Sequence, residues 1–150
     1  MAEKHRERFD VPVIGITGSN GKTIVKEWLY QLLSPERIIT RSPRSYNSQI
    51  GVPLSVWLMN ESTELGIFEA GISEMGEMEA LQSIIRPSIG VLTNIGGAHQ
   101  ENFYSVDDKC IEKLALFKDC DVVIYDGDNE LISRGISKSL FSAREIAWSR

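Results

Sequence analysis

The stretch Gly15-Ile16-Thr17-Gly18-Ser19-Asn20-Gly21-Lys22-Thr23 constrains this chain more than any other. A continuous apolar run at 11–16 leads into it, and an apolar run of helical period at 24–33 follows. Strand, glycine turn, Gly-Lys-Thr and helix in that order are the context of a phosphate-binding loop. Glycines let backbone N–H groups wrap an anion, and the helix N-terminus adds a favourable dipole. Lys22 is placed to reach terminal phosphates as a point charge. The Thr23 hydroxyl is placed on a magnesium ion that bridges them. The general Gly-x4-Gly-Lys pattern puts glycine at position 16, where this chain has Ile16. Gly18 must then make the tight turn. The stretch reads as a nucleotide site.

The chain has 150 residues, enough for one domain with a real core. Its net charge of −5 and pI near 5.1 argue against a general nucleic-acid or acidic-membrane surface. Local groups must therefore hold an anionic ligand. Cys110 and Cys120 show no metal-site spacing and read as reduced, buried thiols. Residues 1–10 are charged and lack the apolar core of a secretory signal, and no apolar run approaches membrane-spanning length. A cytoplasmic location without membrane insertion is expected.

The predicted elements alternate. Residues 1–10 read as a helical or disordered lead-in or linker, and 11–150 as one domain. A strand at 11–17 precedes a helix whose apolar face is Val25, Trp28, Leu29 and Leu32. A short strand at 38–40 and a polar loop at 41–49 follow. A helix then begins near Pro53, with Leu54, Trp57 and Leu58 as its apolar face. Strands are expected at 66–71, 89–95, 121–125 and 145–148. Between them lie helices carrying Met78, Leu81, Ile84 and Ile85, then one capped by Ser105 with Asp108, then a weak one at 130–140. In the Ser105 helix the inward stripe runs Val106, Cys110, Leu114 and Phe117, and Lys113 falls on it. A charged lysine there must snorkel outward or find a partner. The alternation implies an α/β fold, a mostly parallel sheet flanked by helices, with ligands at the carboxyl ends of the strands. Those ends carry residues 18–23, Glu69, 94–99 and 126–129. Glu69 is a candidate metal ligand. His99, on a neighbouring strand end, is a second.

In order along the chain stand Thr17-Gly18-Ser19-Asn20-Gly21-Lys22-Thr23, then Tyr46-Asn47-x-x-Ile50-Gly51-Val52-Pro53, then Glu69-Ala70-Gly71 with Gly76-Glu77-Met78. Thr93-Asn94-Ile95, Ala98-His99-x-Glu101-x-Phe103 and Lys113 in Lys-x-x-Leu-Phe complete the series. Together they resemble the ATP-binding central domain of the Mur ligases, a family with a phosphate-loop-type fold that builds the peptide of cell-wall precursors. The Asn47 to Pro53 segment and Gly76-Glu77-Met78 look most like the member that joins D-alanyl-D-alanine to UDP-N-acetylmuramoyl-tripeptide. The resemblance implies an ATP- and Mg2+-dependent amide ligase of peptidoglycan synthesis, working through an acyl phosphate. It implies ATP contacts from Thr17 to Thr23 and from Asn94, and a weaker substrate role for Asn47. Thr23 and Glu69 would hold one magnesium. His99 and Lys113, the latter as an N-carboxylate, would hold another. It also implies flanking ligase domains that this chain does not contain. Folylpolyglutamate synthase is a related rival that the 46–53 segment argues against. A phosphate-loop GTPase would need an Asn-Lys-x-Asp motif that is absent, and a non-catalytic nucleotide-binding module is a further alternative.

Overall fold

The computed structural model describes residues 1–96, 102–139 and 142–149. Six strands form one sheet: β1 (Val13–Thr17), β2 (Ile39–Arg41), β3 (Leu65–Glu69), β4 (Ile89–Leu92), β5 (Val122–Asp126) and β6 (Arg144–Trp148). Their order is β2-β3-β1-β4-β5-β6, and every pairing is parallel. β1 and β3 are buried at every residue, as near-continuous apolar runs at the centre of a parallel sheet should be.

Among the described residues six α-helices flank the sheet, the first before β1 and the others each between successive strands: α1 (Ala2–Arg6), α2 (Lys22–Leu33), α3 (Gly51–Val56), α4 (Glu77–Ile85), α5 (Val106–Leu114) and α6 (Glu130–Lys138). On one face α2 packs Val25, Leu29 and Leu33 over Ile14, Ile16, Leu65 and Ile67. On the other, α3 to α6 bury Val52, Val56, Met78, Leu81, Leu114 and Ile132 against Val13, Phe68, Leu92 and Val123. The chain passes from β1 to one side of the sheet and later returns to β4 on its other side. The carboxyl ends of β1, β3 and β4 thus meet at a topological switch point, where such sheets open a crevice. Among the described residues no helix is long and apolar enough to cross a membrane.

Helix α1 docks on the domain. The buried Arg6 guanidinium donates to the Ile85 carbonyl at 2.9 Å and the Arg86 carbonyl at 3.3 Å, satisfying the end of α4.

Three expected faces are corrected. In α2, Trp28 is 63% exposed and Leu32 74%, while Lys26 is 0% exposed. Its apolar residues form two stripes, and the one that packs is Val25, Leu29 and Leu33. In α3 and the turn that ends it, Leu54, Trp57 and Leu58 are exposed, and Val52, Ser55 and Val56 turn inward. Ser55 satisfies its buried hydroxyl on the Gly51 carbonyl at 2.7 Å, so a polar residue can face the core. In α5, Cys110, Leu114 and Lys113 are buried as expected, as is Phe117 in the 3-10 turn that follows, but Val106 is exposed and Lys109 takes an inward position. The helix begins at the carboxyl edge of the sheet, so its inward column starts one turn later than the periodicity predicts. β4 ends at Leu92, three residues short of the expected strand, which frees Thr93 and Asn94 for the loop at the switch point.

Candidate functional site

The loop leaving β1 turns at Gly18, whose φ is +141°. A Cβ there would lie 1.9 Å from Thr93 Oγ1, so backbone conformation and space both demand glycine. This takes over the turn that the usual pattern assigns to position 16, and it leaves Ile16 free to be a fully buried strand residue. Gly21, left-handed at φ +81°, then starts α2.

The loop hangs from β4. The Ser19 N–H donates to the Asn94 carbonyl at 2.9 Å and the Asn20 N–H to Asn94 Oδ1 at 3.0 Å. Thr93 Oγ1 donates to the Asn20 carbonyl at 2.6 Å. The Gly96 N–H donates to Ser19 Oγ at 2.8 Å. Asn94 is thus a template for the loop, while Thr17 Oγ1 ties β1 to the Ala70 carbonyl at 2.8 Å.

Three lysines converge here. Lys22 Nζ donates to the Gly18 carbonyl at 2.8 Å, and Lys113 Nζ approaches the same oxygen at 3.4 Å. Lys109 Nζ donates to the Gly96 carbonyl. Burial lowers the Lys22 pKa, and nearby Glu69 partly opposes this. Lys113 is pushed down to about 8, first by burial and then by Lys22 and Lys109. The lysine on the inward stripe of α5 therefore faces the loop and does not snorkel to solvent.

Glu69 closes β3 beneath the start of α2 and is fully buried. Its Oε2 accepts from Thr23 Oγ1 at 3.0 Å and from Asn47 Nδ2 at 3.4 Å. The Gly71 N–H donates to the Asn47 carbonyl at 2.7 Å, fixing the 42–49 segment against the end of β3. A cavity of about 440 Å³ opens beside these groups, lined by Gly18, Ser19, Lys22, Asn47, Glu77 and Lys113 among others, and Asn47 joins it to Glu69. It joins backbone donors, ammonium groups and hard oxygen ligands, a combination suited to a phosphate chain with its cation. His99, Ala98, Gln100 and Glu101 lie outside the described residues. The expected residues Thr17 to Thr23, Asn47, Glu69, Asn94 and Lys113 are brought to one place.

Two buried site residues carried no signal in the apolar pattern, Lys26 and Lys109. Burial raises the thiol pKa of Cys110 to about 11 and of Cys120 to about 12, so both are inert core residues, as their spacing suggested.

The model of the Mur ligase middle domain matches residues 16–146. The chain belongs to the Mur ligase family. It is 34% identical over 140 residues to the UDP-N-acetylmuramoyl-tripeptide–D-alanyl-D-alanine ligase of Bacillus subtilis, covering 91% of this chain and 31% of that protein. MurF from Acinetobacter baumannii superposes with a TM-score of 0.90 at 25% identity, over 97% of this chain and 33% of that one. The MurF ligase of Thermotoga maritima, solved with ADP, gives 0.87 at 27% identity, over 99% and 35%. The chain thus spans about a third of the length of these relatives.

Proposed function

We propose that residues 11–150, after a lead-in at 1–10, form the ATP-binding central domain of a longer ligase. That ligase joins D-alanyl-D-alanine to UDP-N-acetylmuramoyl-tripeptide at the expense of ATP. The observation that carries this reading is the meeting of Lys22 and buried Lys113 at one cavity at the switch point, with the Thr23–Glu69 pair joined to its wall through Asn47. The Bacillus subtilis relative supports the choice of substrates, and the ADP held by the Thermotoga maritima ligase supports the nucleotide.

A carboxylate does not react with an amine until one of its oxygens becomes a leaving group. In the proposed reaction the tripeptide carboxylate attacks the γ-phosphorus of ATP and ADP leaves, giving an acyl phosphate. The dipeptide amine then attacks the carbonyl carbon, loses a proton and expels phosphate. Such a transfer needs alignment and charge neutralisation more than covalent help. Backbone N–H groups of Gly21 to Thr23, at the start of α2, cradle the phosphates while Asn94 holds those of Ser19 and Asn20, and Lys22 moves from the Gly18 carbonyl to the transferring phosphoryl. Asn94 keeps the loop in shape, and Asn47 orients the acceptor.

Thr23 Oγ1 and Glu69 Oε2, 3.0 Å apart, are hard donors that fit magnesium, which takes one or two carboxylates and completes its shell with phosphate oxygens and water. His99 and Lys113 are assigned to a second magnesium. Lys113 would serve as an N-carboxylate, because a lysine with its pKa near 8 is neutral often enough to react with carbon dioxide. When bound, magnesium spreads the developing charge of the phosphoryl group.

Replacing Lys22 by Ala in the longer ligase should lower turnover by about a hundredfold or more, because a preorganised charge is lost. The fold should persist, since Gly18 and Gly21 set the loop. Turnover near wild type together with a collapsed melting temperature would make Lys22 structural and the assignment wrong.

A further inference from the structure

Lys26 has no part in the scheme above, yet its side chain is fully buried directly under the site. A buried ammonium is costly unless every proton is matched to an acceptor. This one has four oxygens in reach. Glu69 Oε1 lies at 3.0 Å and Glu27 Oε1 at 3.2 Å, and the ammonium donates to the Ser42 carbonyl at 2.8 Å and to the Arg44 carbonyl. A buried ion pair is seldom more stable than an apolar pair of the same volume. What Lys26 supplies is geometry.

The contacts divide the two oxygens of Glu69 between two tasks. Oε1 faces Lys26 and accepts no aligned hydrogen bond among the described residues, so charge alone holds it. Oε2 is thereby turned to Thr23 Oγ1 and Asn47 Nδ2. The two carbonyls that Lys26 grips belong to the segment that delivers Asn47. Arg44 holds a left-handed φ of +48°, a conformation that non-glycine residues adopt only where surrounding contacts fix it. The same segment returns to Glu69, whose N–H donates to Ser42 Oγ at 3.1 Å.

We propose that Lys26 is the positioning residue of the cation site: it clamps Glu69 Oε1 and the 42–44 carbonyls, so that Oε2 is presented beside Thr23 to the magnesium–nucleotide complex. This rests on the phosphate and magnesium reading above. The contrasting role is a plain core staple, which would contribute stability but no metal selectivity.

The test is a calorimetric titration of the 150-residue chain with ADP, once in EDTA and once with Mg2+. Lys26→Met keeps the length of the side chain and removes its charge. Its affinity for metal-free ADP should match wild type, while its affinity for the magnesium complex should fall about 10–100-fold, as when the outer partner of a metal ligand is removed. If Lys26→Met does not fold, Lys26→Arg carries the measurement. It keeps the charge but substitutes a planar fork for a compact ammonium, and should show the same selective loss with a near-native melting temperature. A folded variant that keeps the wild-type gain from magnesium, or loses affinity equally with and without it, overturns the proposal. A wild-type chain that binds ADP without any gain from magnesium overturns the metal reading and this inference with it. One that binds no ADP at all overturns the phosphate reading.

Discussion

Lys113 shows how a single side chain can report on the site. Its pKa lies near 8 in the folded chain, against an ordinary value of 10.5. Between those limits the unfolded chain holds the proton and the folded chain does not, so unfolding takes up a proton and stability rises with pH. Below about pH 8 both states are protonated and the cost of burying the ammonium is felt in full. The unfolding free energy of the wild-type chain, relative to Lys113→Met, should therefore climb from about pH 8 to 10.5. Taking the difference cancels the buried thiol of Cys120, whose raised pKa acts in the opposite direction, and leaves of Cys110 only the part that Lys113 itself sets. Parallel profiles for the two proteins would show that Lys113 is not desolvated. At this scale the sequence was legible where chemistry fixes residue type, as in the Gly18 to Thr23 loop and Glu69 at a strand end. It was silent on Lys26 and Lys109. A periodicity argument sends lysine to solvent by default, and only the acceptors gathered by tertiary contacts make an inward lysine tolerable.

At the scale of elements, α5 delivers both Lys109 and Lys113, so its start matters to the site. Ser105 Oγ accepts from the Asp108 N–H at 3.0 Å, an N-cap that the Ser105-x-x-Asp108 spacing foretold. Ser105→Ala should cost about 1 kcal/mol in urea unfolding, and an unchanged midpoint would show that tertiary packing alone holds this end. Helix and strand positions followed from apolar runs and turn residues, but faces did not follow for α2 and α3. In α2 one stripe contains Val25, Leu29 and Leu33 and another Ile24, Trp28 and Leu32, and their composition is alike. Which one packs is decided by the register of α2 on the sheet, set by the loop before it and by the Lys26–Glu69 pair behind it. In α3 the larger residues lie outside because the short helix packs closely through Val52, Ser55 and Val56.

For the whole molecule, strand order and the split of helices between faces follow from where the chain crosses the sheet. The alternation of elements announced a parallel sheet, but the order β2-β3-β1-β4-β5-β6 depends on long-range pairing that no local pattern encodes. The order matters because it puts the ends of β1, β3 and β4 side by side, so that segments about 25 to 75 residues apart build one cavity. The central claim is that this cavity holds the phosphates of a nucleotide. The most direct test is a titration of the chain with Mg2+–ADP, followed through its backbone amide resonances. The largest shifts should fall on Gly18 to Thr23, with smaller ones at Asn94 and Lys113, and Lys22→Ala should abolish them while keeping the dispersed spectrum of a folded protein. Absence of saturable shifts in the wild-type chain, or shifts confined to residues away from this loop, would contradict the account.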